Sequence, residues 1–340
     1  MNTASLAIDP PLPDLATAAA AAAAAAATAE ATPVDPARRV RLGLWLAAAG
    51  VAMFALTLPL TRLAGGTSTA PQLPPDLVAY GRAAVAGVLS LLWLVWHQAR
   101  WPSRAQWPVL VIGAAGVVLG FPLGVGWAVR EVPAAHAAVV TGVLPLATAL
   151  VATLWLRERA GAAFWACACA GCALVLAYAW MQGGGAWSRG DLLLLAAVAS
   201  AACGYVAGAR LSASGMPPEQ VICWMLVLAL PVTLSLSARQ LMTAGNGWQL
   251  ADITWSAWAA LAYLALVSMW LGFFAWYRGL ALAGTLRASQ LQLLQPFLSM
   301  LAAVPLLGER LDLPTVACAL AVLACVAAGQ RLHRHGRPAR

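Results

Sequence analysis

Four polar side chains in an apolar stretch near the C-terminus are spaced so that they share one face of a helix. Ser289, Gln292, Gln295 and Ser299 recur every three or four residues, and Pro296 follows the second glutamine. This spacing matches the period of an α-helix, about 3.6 residues. Amide groups are costly to bury without a partner. The face therefore predicts the lining of a cavity that binds a polar molecule, with hydrogen bonding between helices as the alternative.

A second apolar stretch carries a similar face. Thr141, Pro145 and Thr148 lie on one side of a predicted helix. Each of the two prolines, Pro145 here and Pro296 in the first stretch, frees a carbonyl one turn earlier from its helical hydrogen bond. Deep in a membrane such a carbonyl is tolerated only beside protein or a polar cavity. The two faces are therefore predicted to line one central substrate site, and interhelical hydrogen bonding is again the alternative for the hydroxyls.

Two ionisable side chains inside apolar stretches are candidates for coupling or gating. Arg82 lies about 9 Å into its stretch, at a helical rise of about 1.5 Å per residue. We expect its long side chain to snorkel to the surface or to pair with an acid of a loop. His136 lies near the start of another stretch, and proton coupling is the hypothesis for it.

The composition places these stretches in a bilayer. Hydrophobic residues make up 62% of the 340-residue chain and charged residues only 9%, which is too little charge for the surface of a water-soluble domain of this size. All 20 basic residues are arginine, and the net charge is +8. Because the arginines are scattered between apolar runs, no nucleic-acid partner is expected. The expected partners are a lipid bilayer and a small-molecule substrate.

Ten runs are long enough, at about 20 mostly apolar residues, to cross a bilayer as helices. The first 37 residues carry an alanine tract and are predicted to form a disordered cytoplasmic tail, and residues 333–340 a basic cytoplasmic tail. The predicted fold class is all-α integral membrane, with ten transmembrane helices. The approximate limits of the runs are 43–64, 76–97, 107–129, 134–156, 161–181, 191–212, 219–238, 254–277, 286–307 and 313–331.

The distribution of arginine predicts the orientation. With the N-terminus in the cytoplasm, fourteen arginines fall in cytoplasmic segments and five fall on the opposite side. Positive charge beside membrane spans favours the cytoplasmic side. Both termini are therefore predicted to be cytoplasmic, which requires an even number of spans.

The chain also contains an internal repeat. A shift of 151 positions places Glu158 on Glu309 and aligns the two prolines named above. A shift of 143 positions places “PPDLV”, residues 74–78, on “PPEQV”, residues 217–221. The difference between the two shifts falls in the loop after the seventh run. We expect both glutamates to be turn residues in water, at opposite surfaces of the membrane, with Glu309 near the N-terminus of the helix that follows it.

The repeat divides the chain into two five-helix units, residues 38–182 and 183–332. Because each unit crosses the membrane an odd number of times, the units are predicted to have opposite orientations. Inverted repeats are typical of transporters, since exchanging the conformations of two equivalent halves converts an inward-open state into an outward-open one.

Several motifs accompany this organisation. Each half ends with an apolar, proline-containing helix, followed by a glutamate-arginine turn and a short helix. The second run contains “YGRAAVAGVLSLLWL”, and the second half begins with “GDLLLLAAVASAACGYVAGARL”. In these features the chain resembles the drug/metabolite transporter superfamily, EamA type. The resemblance implies a secondary transporter of the plasma membrane, the inner membrane of a bacterium, which exports small metabolites such as amino acids by alternating access. An exporter of drugs or toxic compounds is the alternative within transport.

The resemblance also bears on three aromatic residues. Trp270 and Trp276 in the eighth run and Tyr205 in the sixth lie deep in the membrane or on helices that face the central cavity in the resembled family. They are candidate substrate contacts. Packing in the core or against lipid is the alternative.

Other function classes need residues that this sequence lacks. The chain has no HExxH, GxSxG, HxxxD or paired-aspartate motif, so a membrane-embedded enzyme is not indicated. The seven cysteines lie in apolar runs, and the CxxC pair, Cys169 and Cys172, has no histidine or carboxylate nearby in sequence, so no metal or cofactor is expected. A non-transporting membrane scaffold would keep the helix packing and could dispense with the polar face. The oligomeric state stays open, with a homodimer as one alternative.

Overall fold

A computed structural model describes residues 36–155, 162–182, 186–243, 249–283 and 291–335. The alanine-rich tail, Glu158, Ser289 and the last five residues lie outside these ranges, so what was predicted for them stays a prediction. Apart from one isolated bridge between Gly66 and Pro71, the regular structure of the described residues is helical. The all-α class is therefore confirmed.

The helices follow the apolar runs of the sequence. Eight of them are long and apolar enough to cross a membrane, whereas the two that follow give shorter apolar stretches, Leu291–Leu307 and Leu313–Cys325. The count of ten spans therefore stays a prediction. The helices of the described residues are α1 (Ala37–Gly65), α2 (Pro75–Trp96), α3 (Trp107–Glu131), α4 (Ala134–Trp155), α5 (Ala162–Gln182), α6 (Arg189–Ala213), α7 (Pro218–Met242), α8 (Trp255–Ala283), α9 (Leu291–Leu307) and α10 (Leu313–His335).

Local sequence explains where several helices begin and end. Pro75 and Pro218 begin α2 and α7, a position where the missing N–H costs no helical hydrogen bond. At the start of α6, the Ser188 hydroxyl accepts the N–H of Asp191, and the Asp191 carboxylate accepts the N–H of Ser188, each at 3.0 Å. Gly308 ends α9 with a φ of 67°, a left-handed conformation that favours glycine.

The helices pair across the two halves of the chain. α1 packs along α8 and α6 packs along α3, and the internal repeat makes these two pairs equivalent. α2 packs against α7, α4 against α9 and α5 against α10, so each of these helices contacts its own equivalent. Equivalent helices of the two halves therefore have equivalent neighbours, and each pair joins one half to the other.

Close packing of α3 on α6 depends on glycine. A Cβ at Gly116 would lie 2.4 Å from the carbonyl oxygen of Ser200, and a Cβ at Gly124 would lie 2.9 Å from the Cβ of Ala197. Both distances are shorter than a van der Waals contact. Small residues let membrane helices approach this closely, so these glycines hold the first half against the second.

The backbone departs from α-helical geometry at equivalent places in the two halves. α3 is π-helical over Ala114–Gly120, and α8 is π-helical over Leu264–Leu271, which matches the shift of 151 positions to within one residue. α4 is interrupted between Thr141 and Leu144, and α9 begins with a 3₁₀ turn, Leu291–Leu294. Such irregular turns are frequent at functional sites. All four places border one cavity.

Candidate functional site

A cavity lies between the two halves of the chain. Its lining comes from α1, α2, α3 and α4 of the first half and from α6, α8, α9 and α10 of the second. Most of the candidate residues from the sequence contribute to it. Those in the lining are Arg82, Thr141, Pro145, Tyr205, Gln292, Gln295, Pro296 and Ser299.

The two prolines hold equivalent places in this lining. Pro145 and Pro296 are each the second residue of an α-helical segment, so each helix restarts at its proline beside the cavity. In the first turn a proline nitrogen is not required to donate a helical hydrogen bond. The turns before the prolines bring Thr141 and Gln292 into the lining. The structure therefore unites the two polar faces that the sequence predicted.

The polar groups of these residues are available to a ligand in different degrees. The Thr141 hydroxyl donates to the carbonyl oxygen of Ala137 at 2.8 Å, which leaves its oxygen able to accept. Ser299 is only 2% exposed, and its Oγ has no hydrogen-bond partner in the described part of the chain. Tyr205 adds a phenol. A few convergent polar groups in an apolar cavity are typical of a small-molecule site.

Four candidates lie outside the cavity lining. Thr148 donates its hydroxyl to a carbonyl oxygen of its own helix at 2.8 Å. Trp270 packs on Phe274 with ring centroids 4.9 Å apart, and Trp276 is buried in the core. His136 lies toward one end of the bundle and is described below. Eight of the twelve described candidates therefore line the cavity, and contact with a ligand stays a prediction for all of them.

The sequence did not indicate several cavity residues on α1 and α8. Thr57, Ser268 and Met269 line the cavity. Ser268 is the single polar residue of “LALVSMWL”, which is a signal that could have been recognised. The aromatic lining carried no such signal, because phenylalanine is common in membrane helices. The lining phenylalanines are Phe54, Phe121, Phe273 and Phe297.

Arg82 places a positive charge in the cavity. Its side chain is 4% exposed, its Nη2 donates to Ser268 Oγ at 3.1 Å, and Met269 Sδ lies 3.7 Å from the same nitrogen. Ser268 Oγ in turn shares a hydrogen bond of 2.8 Å with Thr57 Oγ1. The expectation that Arg82 snorkels or pairs with a loop acid is wrong, because the π-helical turn of α8 holds its guanidinium inside the bundle.

Polar contacts join the two halves beyond the cavity, on one face of the bundle. The Glu309 carboxylate accepts the N–H groups of Ala134 at 2.7 Å and Ala135 at 2.9 Å, and Arg62 Nε lies 3.4 Å from it. Arg62 also donates to two carbonyl oxygens beside the α3–α4 connection. This face, called the loop face below, carries the connections 66–74, 132–133, 186–188, 249–254 and 308–312.

These contacts correct the expectation for Glu309. The Glu309 side chain was expected in water, but it is only 11% exposed. It caps the N-terminus of α4 and not that of the helix that follows it. The N-terminus of a helix favours a negative charge because its N–H groups lack helical partners. Glu309 thus ties the α9–α10 connection of the second half to the start of α4 in the first half.

His136 belongs to a second polar cluster near the loop face. Its Nε2 lies 2.6 Å from Asp191 Oδ1, both side chains are buried, and its ring stacks on Tyr178 with centroids 5.0 Å apart. These contacts connect α4, α6 and α5. The arrangement supports a packing role for His136, and proton coupling through it stays a hypothesis.

Asp312 continues this cluster at the connection between α9 and α10. Its carboxylate accepts the N–H of Thr315 and the Nε2 of Gln182, each at 3.2 Å. Hydrogen bonding, first from Thr315, holds the pKa of Asp312 below its usual value. Asp312 therefore stays ionised at neutral pH. Among the described residues, no group of three His, Cys, Asp or Glu side chains is placed to hold a metal ion.

Comparisons with known proteins agree with this architecture. The EamA-like transporter family matches residues 41–180 and 188–328. A relative from Bacillus subtilis (strain 168), described as “Uncharacterized transporter YdeK”, is 41% identical over 282 residues, which are 83% of this chain and 94% of the relative. A solved structure named “Crystal structure of protein” is 21% identical, with a TM-score of 0.57 over 87% of this chain and 99% of that chain, which shows a shared fold. The resemblance found in the sequence is confirmed: the chain is a membrane transporter and belongs to the EamA-like transporter family.

Proposed function

We propose that the protein is a secondary transporter that exports small metabolites by alternating access. The observation that carries this proposal is the cavity between the two halves, which residues from both halves line. A site at the interface of inverted repeats is reached from either side of the membrane when the halves exchange conformations. Membership of a transporter family supports the same function.

The contacts of Glu309 indicate which parts must separate during this cycle. Arg62 lies one helical turn beyond Leu58, a residue of the cavity lining, so the Arg62–Glu309 contact lies between the cavity and the loop face. Opening the cavity toward that face requires Glu309 to leave Arg62 and the N-terminus of α4. In the sequence, the repeat aligns Glu158 of the first half with Glu309.

Orientation and location complete this proposal. The arginine bias supports cytoplasmic termini. The loop face then lies outside the cell, and the Glu309 contacts close the outer side of the cavity. We place the protein in the plasma membrane on the resemblance to EamA-type transporters.

The lining fits a small amphipathic substrate. The amides of Gln292 and Gln295 offer polar contacts, and the four phenylalanines offer apolar ones. Amino acids and related compounds combine both characters. The phenylalanines alone favour a second candidate, an exporter of apolar drugs or toxic compounds, because apolar pockets with few polar contacts accept many shapes. Dependence of export on the two glutamines distinguishes the candidates.

A comparison of metabolites in medium and cytosol, with and without expression of the full chain, tests export. The double variant Gln292→Ala/Gln295→Ala is expected to export about tenfold more slowly, since it loses two polar contacts. Gln240→Ala is the matched control: Gln240 lies near the end of α7, outside the cavity lining, and wild-type export is expected. Equal amounts of each variant in the membrane are required.

Two outcomes contradict the proposal. If no metabolite shifts across a broad panel, the chain does not export metabolites, as expected of a scaffold or an enzyme. If a folded Gln292→Ala/Gln295→Ala variant exports at the wild-type rate, the cavity is not the metabolite site. Increased tolerance to an apolar toxic compound, without any metabolite shift, would favour the second candidate.

A further inference from the structure

The charge of Arg82 is the feature of the cavity that export alone does not explain. An arginine side chain stays protonated at any physiological pH. Inside a membrane protein such a charge is costly and is normally paired. Arg82 is 4% exposed, and no carboxylate among the described side chains forms an ion pair with it. The described part of the chain therefore holds a buried cation without a counter-ion.

Several acids near the helix ends have other partners. Glu219 pairs with Arg278 at 3.1 Å, and Asp76 accepts the indole N–H of Trp127 at 2.8 Å. Asp191 and Glu309 have the contacts given above. The segment 284–290, between α8 and α9, contains no acid in its sequence. Among the described residues, Arg82 therefore has no carboxylate partner.

Neutral partners orient the guanidinium without neutralising it. Ser268 and Met269 contact Nη2, and Ser268 is itself tied to Thr57. Arg82 Nε has no hydrogen-bond partner in the described residues. Ser299, a lining residue from the other half of the chain, also has an Oγ without a hydrogen-bond partner in the described residues. Two lining residues, one from each half, therefore carry a polar atom without a hydrogen-bond partner among the described residues.

We propose that Arg82 binds the carboxylate of the transported substrate, which is a small organic anion with an apolar group. An arginine–carboxylate hydrogen bond is short and strong, and Arg82, a residue of the cavity lining, has no ion-pair partner among the described residues. A single carboxylate matches the charge of Arg82, whereas a phosphate dianion would need a further cation that the described lining does not supply. The phenylalanines contact the apolar group. Because transport is itself the proposal above, this assignment rests on it.

Binding of phenylacetate and phenylacetamide to the purified full-length protein tests this site. The two probes share an aromatic ring and a similar shape and differ in charge. Titration followed by tryptophan fluorescence, with the protein in lipid nanodiscs, measures the Kd of each probe. We expect phenylacetate to bind at least about tenfold more tightly than phenylacetamide.

Substitution assigns the preference to one residue. Arg82→Gln is expected to weaken phenylacetate binding about tenfold and to change phenylacetamide binding less than about twofold. Arg82→Lys keeps the charge and is expected to retain part of the preference. The matched control, Arg278→Gln, removes an arginine whose side chain is 58% exposed and outside the cavity lining. Wild-type Kd values are expected for it with both probes.

Two results overturn the assignment. One is a wild-type protein that binds phenylacetate no more tightly than phenylacetamide. The other is a folded Arg82→Gln variant that binds phenylacetate as the wild type does. The first measurement needs no variant, so it decides the question even if Arg82→Gln does not fold.

Failure of transport has a different signature. If phenylacetate binds with the expected preference but radiolabelled phenylacetate does not cross proteoliposome membranes and no metabolite is exported by cells, the site stands and transport fails. If cells export metabolites at a rate that Arg82→Gln leaves unchanged, transport stands and the carboxylate site fails.

Discussion

The crossing of α2 with α8 and the crossing of α7 with α3 occupy equivalent places in the two halves of the molecule. The first, called the polar crossing, consists of Arg82, Ser268 and Met269, where the guanidinium donates to the serine. The internal shifts place Arg82 on Met225, and Ser268 and Met269 on two valines. The second, called the apolar crossing, consists of Met225, Val117 and Val118.

The apolar crossing is packed without any charge. Met225 is fully buried, and a Cβ at Gly113 would lie 2.1 Å from its Cε. Val117 and Val118 belong to the same apolar cluster. Both crossings run over a π-helical turn, in α3 and in α8. The same backbone geometry is therefore supported once by apolar packing and once by an arginine.

The difference between the two crossings indicates which side chains the fold requires and which are present for function. Since the apolar crossing shows that side chains without charge can fill this geometry, the fold does not require an arginine at the other one. Burying an unpaired charge costs stability. Helix packing therefore does not explain why an arginine lies at the polar crossing and a methionine at the apolar one. The proposed role of Arg82 in substrate binding does explain it.

The largest effect is expected from Met225→Arg, which would make the apolar crossing charged. Val117 takes the place of Ser268 there, so the new guanidinium would meet Gly113 and the two valines. We expect the free energy of unfolding to fall by about 3 kcal/mol or more, measured as loss of folded protein in membranes and a lower melting temperature. Met225→Leu, the control, is expected to cost less than about 1.5 kcal/mol. A stable Met225→Arg protein would show that the two crossings tolerate charge equally.

The converse variant, Arg82→Met, would make the polar crossing resemble the apolar one. We expect export to fall at least about tenfold, because a hydrogen bond to a charged group contributes about 1.5–3 kcal/mol. The melting temperature is expected to stay equal or rise, since an apolar residue replaces a buried unpaired charge. Export assays and thermal unfolding of the same preparation measure both. A large loss of stability would instead assign Arg82 to the fold.

A smaller effect is expected when Ser268 is replaced by alanine. This change removes the oxygen acceptor of Arg82 Nη2, leaving Met269 Sδ, and it removes the partner of Thr57. We expect unfolding free energy to fall by about 1–2 kcal/mol, measured by denaturation in mixed micelles. The control is Ser200→Ala, because the internal repeat aligns Ser200 with Thr57. This variant loses one hydrogen bond of 3.3 Å to the Gly116 carbonyl oxygen, and its unfolding free energy is expected to fall by about 0.6 kcal/mol. Equal losses would contradict the stronger coupling of the polar crossing.

Helical period was enough to predict the polar faces of α4 and α9. Thr141, Gln292, Gln295 and Ser299 recur at helical spacing, and proline marks both helices, so these lining residues were found. Thr57 and Ser268 were not found, because each is an isolated polar residue in an apolar run and has no period to reveal it. Thr148 shares the face of Thr141 by spacing, yet the interruption before Leu144 separates the two, and only Thr141 lines the cavity.

By itself the sequence determined the membrane class, the repeat and the family, because apolar run length and motif spacing are local properties of the chain. Only the tertiary structure decided the surroundings of the charges. Arg82 meets a serine 186 positions away, and Glu309 caps a helix that starts 175 positions before it. Such distant contacts decide whether a charged side chain snorkels to the surface, forms an ion pair or is left free to bind a ligand. The reason is that burial and hydrogen-bond partners set the free energy of the charged form.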